Sequence, residues 1–193
     1  MKKFTYIFLA SLIVFASCSK RTVTRVSPDE QIDLSGRWND SDSRKVAESV
    51  TAQIFNSPRF KEYANSQPGR PAIIVGYIQN KTSEHIDADN FIKKFEMEIF
   101  NSGIADLVES GEFRERLREE RADQQEFSSP ETTARWGKET GADMMLFGTI
   151  TSETDSYDKK KVVNYIITLY MTDLENNKRI WYGQEEIKKF IEN

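Results

Sequence analysis

The sequence predicts an α/β protein of the α+β type, in which helices pack against one mixed, mainly antiparallel sheet. Helix-like segments with one apolar stripe alternate with short apolar strands between residues 34 and 141. The last third of the chain, from Asp143 onward, has instead the pattern of consecutive strands joined by polar turns. The length of 193 residues suits one domain with a single modest core.

The first helix is predicted over residues 44–56. Its apolar side chains recur at every fourth position and form one stripe, Val46, Val50 and Ile54. Either Ser41 or Asp42 is predicted to cap it, because a side-chain oxygen at that point accepts from the early free amide groups. A shorter helix is predicted over residues 58–64, after the break at Pro58.

A strand is predicted over residues 72–78. Its residues are apolar on both faces, so we expect it to lie inside a covered sheet. A helix over residues 89–102 follows, with its stripe at Phe91, Phe95 and Ile99. Gly103 is predicted to end that helix in a left-handed conformation. Residues 104–109 then form a short strand or edge segment.

A highly charged helix is predicted over residues 112–123. Phe113 and Leu117 give it one narrow apolar edge. One interpretation is a solvated helix held by ion pairs between neighbouring turns, such as Glu112 with Arg116. The other interpretation is a face that binds a partner.

A last helix is predicted over residues 129–140. A serine, a proline and an acid at its start are typical of a helix N-terminus, and Gly141 stops it. Residues 143–152 are strand-like, and residues 155–161 are predicted to be a polar loop to the next strand.

The strongest predicted strand covers residues 162–172. Its inward-facing side chains are expected to be Val163, Tyr165, Ile167, Leu169 and Met171. A hairpin turn is predicted over residues 175–178, and residues 179–187 pair back. The tail, residues 188–193, is predicted to be frayed or helical.

The N-terminus has the pattern of a bacterial lipoprotein signal. Two lysines precede an apolar run that ends in Ala16, Ser17 and Cys18, where the composition turns polar. Residues 1–17 are therefore predicted to be cleaved and Cys18 to be lipidated, with an ordinary secretory signal as the alternative. The run is shorter than the roughly 20 apolar residues of a bilayer span. A lipid anchor also explains a lone cysteine that has no disulfide partner.

The remaining chain divides into a tether and a domain. Residues 18–33 are predicted to be the lipidated cysteine and a flexible linker, and residues 34–193 a globular domain. The 15 linker residues after Cys18 span at most about 50 Å. Removing the signal, which holds two lysines and no acids, changes the net charge from −4 to −6. This acidic balance argues against nucleic acid as a partner.

No catalytic pattern stands out. His85 is the single histidine, so neither a clustered metal site nor a serine–histidine–acid hydrolase is expected. Gly141 and Gly148 stand alone, without a phosphate-binding glycine loop. We therefore predict a protein that is not an enzyme and that needs no metal, cofactor or small-molecule substrate. An envelope hydrolase using paired surface carboxylates is the weaker alternative.

Several separate segments, spread over residues 34 to about 187, form a recognisable series: 34–40 (LSGRWND), 75–87 (VGYIQNKTSEHID), 118–121 (REER) with 124–125 (QQ), 141–143 (GAD) with 146–150 (LFGTI), and 180–181 (IW) with 183–184 (GQ). In their sequence and their order along the chain, these segments resemble the LpoB family.

The resemblance implies a regulator tied to a membrane. Family members are outer-membrane lipoproteins that face the periplasm and stimulate a class A penicillin-binding protein, a bifunctional peptidoglycan synthase. The fold implied is similar to the N-terminal domain of the translocation protein TolB. Ser19 follows Cys18 where an aspartate would signal inner-membrane retention, which fits an outer-membrane location. The short linker favours the alternative of a structural or assembly lipoprotein without synthase-activating role.

Two segments are candidates for binding the partner. The first is a polar loop at the end of a buried strand, formed by Asn80, Lys81, Thr82, Ser83, Glu84 and His85. It is equally consistent with a turn whose hydroxyl groups satisfy nearby backbone amides. The second is the pair Arg37 and Trp38, residue types enriched at interface anchors, although Trp38 also suits a plug at the edge of the core. Trp136 and Trp181 are assigned to packing.

Overall fold

The computed structural model describes residues 21–28, 30–132 and 139–192. The chain divides into two units, residues 1–30 and residues 31–193, and the fold below is that of the second. The predicted signal, Cys18 and Trp136 lie outside the described residues, as do residues 133–138 of the helix predicted over residues 129–140. Pro130 to Thr132 form a turn. Within the described ranges, no helix is both long and apolar enough to cross a membrane.

The first two helices, α1 (Asp40–Asn56) and α2 (Pro58–Ser66), are close to the prediction. The predicted cap of α1 is wrong, because Asn39 occupies that position. The Asn39 side chain accepts from the Asp42 amide, and the Asp42 carboxylate accepts from the Asn39 amide at 2.9 Å. This reciprocal pair satisfies two free amide groups, so the helix begins four residues earlier than its apolar stripe indicates.

Strand β1 (Ala72–Asn80) and helix α3 (Ala88–Ser102) follow α2 along the chain. Gly103 ends α3 at a φ of 64°, as predicted. Strand β2 (Asp106–Leu107) is a two-residue edge strand. Helix α4 (Gly111–Phe127) corresponds to the predicted charged helix, and it buries none of its residues.

The last third forms three strands, each 14 residues long: β3 (Met144–Tyr157), β4 (Lys160–Asp173) and β5 (Arg179–Glu192). The predicted polar loop over residues 155–161 is wrong, since β3 and β4 continue to a two-residue turn at Asp158 and Lys159. Asp158 adopts a φ of 54°, a conformation that aspartate tolerates in tight hairpins. The predicted frayed or helical tail is also wrong, because residues 188–192 pair with β4.

One five-stranded sheet has the order β2-β1-β3-β4-β5. Strand β1 pairs in parallel with β2 and β3, whereas the β3–β4 and β4–β5 pairs are antiparallel. The predicted fold class, a mixed and mainly antiparallel sheet with helices, is confirmed. Gly148 lies opposite Leu169 in β4, and a Cβ at Gly148 would overlap the carbonyl oxygen of Thr168.

The core lies between the helices and one face of the sheet, here called the inner face. One cluster joins the buried stripe of α1 and α3 to the inner side chains of β1, β3 and β4. All five predicted inward residues of β4 are buried, namely Val163, Tyr165, Ile167, Leu169 and Met171. Trp181 is buried in the same cluster, so its assignment to packing is confirmed.

A charged cluster ties the segment before α1 to strand β5. The Lys189 ammonium contacts a carboxylate oxygen of Asp42 at 2.6 Å and one of Asp33 at 2.7 Å, and it donates to the Arg37 carbonyl at 2.9 Å. Burial alone would lower the pKa of Lys189, but the hydrogen bonds to Asp33 and Asp42 outweigh it and raise the pKa. Asp33 therefore belongs to the second unit, residues 31–193, although it lies in the segment predicted as linker.

The turn between β4 and β5 is organised by a buried carboxylate. Asp173 accepts from the amide groups of Glu175 at 2.8 Å and Asn176 at 3.1 Å. Burial alone would raise the pKa of Asp173, but these backbone hydrogen bonds and that of the Tyr63 side chain hold it below its ordinary value. The ionised form therefore stabilises the folded state.

Replacing Asp173 with asparagine should lower the free energy of unfolding by about 1–2 kcal/mol near neutral pH, because charged hydrogen bonds are lost. In wild type, the stability that the ionised Asp173 carboxylate contributes is fully present above the unfolded-state pKa of about 3.9. It is lost as the pH falls through the lower folded-state pKa. Urea denaturation from neutral to acid pH should therefore show a weaker acid dependence in Asp173→Asn. Asp155→Asn, at an exposed position on β3, is the control and should match wild type. Equal acid dependence in Asp173→Asn and wild type would contradict the assignment.

Candidate partner-binding site

The two predicted segments meet at Trp38. Its backbone N–H donates to a carboxylate oxygen of Glu84 at 3.1 Å, and its indole N–H donates to the Ser43 hydroxyl at 2.8 Å. The indole packs edge-on against Phe91 and Tyr165, with ring centroids 5.7 and 5.4 Å away. Trp38 is therefore half-buried against the core, which agrees with a plug at the domain edge.

Glu84 connects the loop after β1 to the core. One carboxylate oxygen accepts from Trp38, and the other accepts from the buried Tyr165 hydroxyl at 2.9 Å. Burial raises the pKa of Tyr165, and the hydrogen bond to Glu84 raises it further. Because Glu84 accepts both from the buried Tyr165 hydroxyl and from a backbone amide, its role in this structure is structural.

The rest of the loop is a satisfied turn. The Asn80 side-chain amide donates to the Glu84 carbonyl at 2.8 Å, and its oxygen accepts from the Thr82 amide at 2.9 Å and from the Thr82 hydroxyl at 2.8 Å. The Thr82 hydroxyl oxygen in turn accepts from the Glu84 amide at 3.1 Å. These bonds hold the backbone between Asn80 and Glu84 in one conformation.

The candidate residues thus separate into two groups. Trp38, Asn80, Thr82 and Glu84 are half-buried and hold the local structure, and the exposed group consists of Arg37, Lys81, Ser83 and His85. A shallow cavity of about 300 Å³ adjoins His85, between the starts of α1 and α3. The described residues contain no group of three or more histidine, cysteine or acidic side chains arranged to hold a metal ion.

Helix α4 carries ion pairs between its turns. Glu112 pairs with Arg116 as predicted, and Arg118 contacts Glu115 at 2.6 Å and Glu139 at 2.9 Å. Because the helix buries no residue, this geometry favours the solvated interpretation. The apolar edge at Phe113 and Leu117 is about half exposed.

A second surface, which the sequence reasoning missed, lies on the outer face of the sheet, opposite the core. One aromatic side chain from each of four neighbouring strands forms a continuous row: Tyr77, Phe147, Tyr170 and Tyr182. Successive ring centroids are 6.2, 5.5 and 5.3 Å apart, with planes inclined by only 27–31°. Tyr77 is 66% exposed and Tyr182 is 55% exposed, so water reaches the row. We call these four residues the aromatic row.

Arg179 lies beside this row at the start of β5. Its guanidinium carbon is 4.3 Å from the centre of the Tyr170 ring and 5.6 Å from that of Tyr182. One sequence signal could have indicated this surface. Inward and outward side chains alternate along β4, and Tyr170 falls between the inward residues Leu169 and Met171, so it faces outward. The neighbours of Tyr170 on other strands depend on pairing register, which a single sequence does not state.

Comparison with known proteins identifies the family. The sequence profile of a family described as "Peptidoglycan-synthase activator LpoB" matches residues 42–187, three quarters of the chain. The chain belongs to the LpoB family. The resemblance noted in the sequence is thereby confirmed, and the family description names a regulatory role rather than an enzymatic one. The LpoB match includes the whole loop from Asn80 to His85 and the aromatic row, and it begins after Arg37 and Trp38.

Solved structures of LpoB proteins are among those similar to this chain. The LpoB C-terminal domain from Escherichia coli is 12% identical with a TM-score of 0.45, and the match covers 76% of this chain and 98% of that one. The LpoB C-terminal domain from Salmonella enterica is 13% identical with a TM-score of 0.44, over the same shares of the two chains. Lipoprotein GNA1162 from Neisseria meningitidis is 14% identical with a TM-score of 0.40, over 62% of this chain and 83% of that one. No curated protein sequence matches the chain.

Proposed function

We propose that this protein is a lipid-anchored regulator that binds and stimulates a class A penicillin-binding protein, a bifunctional peptidoglycan synthase. The observation that carries the proposal is the match of residues 42–187 to a family of peptidoglycan-synthase activators. The anchor is a lipidated Cys18 exposed by cleavage after residue 17, and the domain faces the periplasm from the outer membrane. The protein acts by contact, without catalysis, cofactor, small-molecule substrate or nucleic acid.

Two features of the described domain support action by contact. The loop from Asn80 to Glu84 is held by its own hydrogen bonds, so its exposed side chains sit on a rigid scaffold. The outer sheet face presents aromatic side chains to water. Rigid surfaces of this kind bind partners at a low cost in conformational entropy.

The test is reconstitution with the acylated full chain in detergent. Each class A synthase of the same organism is mixed with it, and glycan polymerisation and peptide cross-linking are measured from lipid-linked precursor. We expect at least one synthase to bind the chain and to polymerise faster. The absence of binding and stimulation with every one of these synthases would refute the proposal.

The second candidate function is a structural or assembly lipoprotein of the outer membrane, and the length of the tether favours it. The 15 residues after Cys18, Ser19 to Asp33, span at most about 50 Å when fully extended. Cross-linking in intact cells distinguishes the two functions. Recovery of a class A synthase supports the activator, whereas recovery of outer-membrane proteins alone supports the structural role.

A further inference from the structure

We propose that the aromatic row and Arg179 form the surface on which the synthase docks, and that the matching surface of the synthase is apolar with one carboxylate opposite Arg179. This inference rests on the proposed activator function and assigns its binding face. It differs from the expectation that the loop from Asn80 to His85 and the pair Arg37 and Trp38 make the contact.

The row is apolar surface left without cover in the domain. The core residues of α1 and α3 pack on the inner face, whereas the aromatic row lies on the opposite face. It crosses four strands, a width of about 15 Å at the usual strand spacing. The two end rings, Tyr77 and Tyr182, are exposed and the two middle rings are partly exposed. A contiguous patch of this type marks an interaction site more often than apolar side chains scattered singly over a surface.

The rings are ordered before a partner arrives. Each of the three ring contacts within the row joins side chains on neighbouring strands, so the rings restrict one another's rotamers. Tyrosine has few rotatable bonds and offers a large contact area with a polar tip. Binding to this row therefore orders little that is not already ordered, which favours affinity.

Arg179 gives the surface its charge. Its guanidinium is held over Tyr170, and among the described residues no carboxylate oxygen lies within ion-pair distance of it. The adjacent position along β3 and β4 is a neutral threonine pair, Thr149 with Thr168. A fixed cation beside an apolar strip, in a chain of net charge −4, is complementary to an apolar surface bearing a carboxylate.

The same charges disfavour two other occupants. A membrane surface with anionic headgroups attracts clusters of basic residues, whereas the row has a single arginine beside it. A second copy of this chain would bring the same arginine and no carboxylate within its own row. A protein surface that is apolar and bears a carboxylate complements both the aromatic row and the Arg179 guanidinium.

The experiment compares binding of full-length variants to the synthase that the wild-type chain stimulates, with affinity measured at low and high salt. Tyr182→Ala should weaken binding about tenfold, and Arg179→Glu by more, because the charge is reversed. In Arg179→Glu a repulsion that salt screens replaces the attraction, so the affinity of this variant should rise with salt where that of wild type falls. Tyr157→Ala is the matched control, since Tyr157 lies on the same face of β3 and is 86% exposed, ten residues beyond Phe147. We expect it to bind within about twofold of wild type.

The outcomes separate this inference from the proposed function. Wild-type affinity in both Tyr182→Ala and Arg179→Glu, with stimulation intact, would overturn the docking face and leave the activator function standing. Failure of the wild-type chain to bind any synthase removes the function itself, and the docking face with it. Thermal melts establish folding, and Arg179→Glu changes an exposed residue, so it stays informative if Tyr182→Ala unfolds.

Two further measurements test the disfavoured occupants. Because the acyl group on Cys18 would itself insert into a bilayer, this measurement uses residues 18–193 with Cys18→Ser, which cannot be acylated. This chain should not sediment with vesicles of phosphatidylethanolamine and phosphatidylglycerol. Vesicle binding that Tyr182→Ala abolishes would overturn the inference in favour of a membrane surface. Light scattering of the wild-type chain without synthase should give the same mass as Tyr182→Ala, and a dimer lost in that variant would identify a second copy as the occupant.

Discussion

Replacing Lys189 with methionine should lower the free energy of unfolding by about 3–5 kcal/mol, the largest loss we expect from a single charged residue here. Asp42 is 2% exposed, and Lys189 is its cationic partner at 2.6 Å. Methionine fills similar space but leaves the Asp42 carboxylate buried without a countercharge. The contact that joins the segment before α1 to β5 is lost as well. Urea denaturation at neutral pH measures the change.

Two variants control this prediction. Lys188→Met alters the adjacent lysine, which is exposed on the outer face, and should change stability by less than about 0.5 kcal/mol. Combining Lys189→Met with Asp42→Asn should recover part of the loss, because the buried negative charge is removed too. A loss in Lys189→Met no larger than that in Lys188→Met would show that the cluster does not stabilise the fold.

Replacing Glu84 with alanine should lower the free energy of unfolding by about 2–4 kcal/mol. The change removes the acceptor of the buried Tyr165 hydroxyl and of the Trp38 amide at once. Glu84→Gln keeps one oxygen acceptor and should show a smaller loss. Thermal and urea denaturation measure the loss of stability in each variant, and near-ultraviolet circular dichroism should report a changed environment of Trp38.

The neighbouring His85→Ala is the matched control, because His85 is exposed in the same loop. It should leave stability unchanged. If Glu84 instead belonged to a binding surface alone, Glu84→Ala would weaken synthase binding with no loss of stability, and the structural assignment would be wrong. Reduced binding in proportion to the unfolded fraction is the result we expect.

The helices show how far local pattern reaches. The stripes of α1 and α3 and the glycine after α3 were readable because helical periodicity and caps depend on residues close in sequence. The prediction placed the start of α1 at residue 44, whereas the helix begins at Asp40. Several residues near this point can cap a helix, and side-chain geometry selects Asn39 and Asp42 among them. The predicted core face of β4 was correct for the same local reason.

The strands show where local pattern stops. Residues 155–161 are polar and residues 188–192 are charged, so single-sequence reasoning predicted a loop and a frayed tail. In the structure, each of these segments pairs with a neighbouring strand. Lys189 points inward because Asp33 and Asp42 neutralise it, and no local rule anticipates partners more than 140 residues away.

The class of fold, the helix stripes, the family and the expectation of a lipid anchor at Cys18 can all be read from the chain alone, because each depends on residues that are neighbours or keep their order along it. The structural role of Glu84 and the aromatic row become visible only in the folded domain. The row needs Tyr77, Phe147, Tyr170 and Tyr182 in register across four strands. Register is set by pairing between distant segments, so the surface appears only when the sheet assembles.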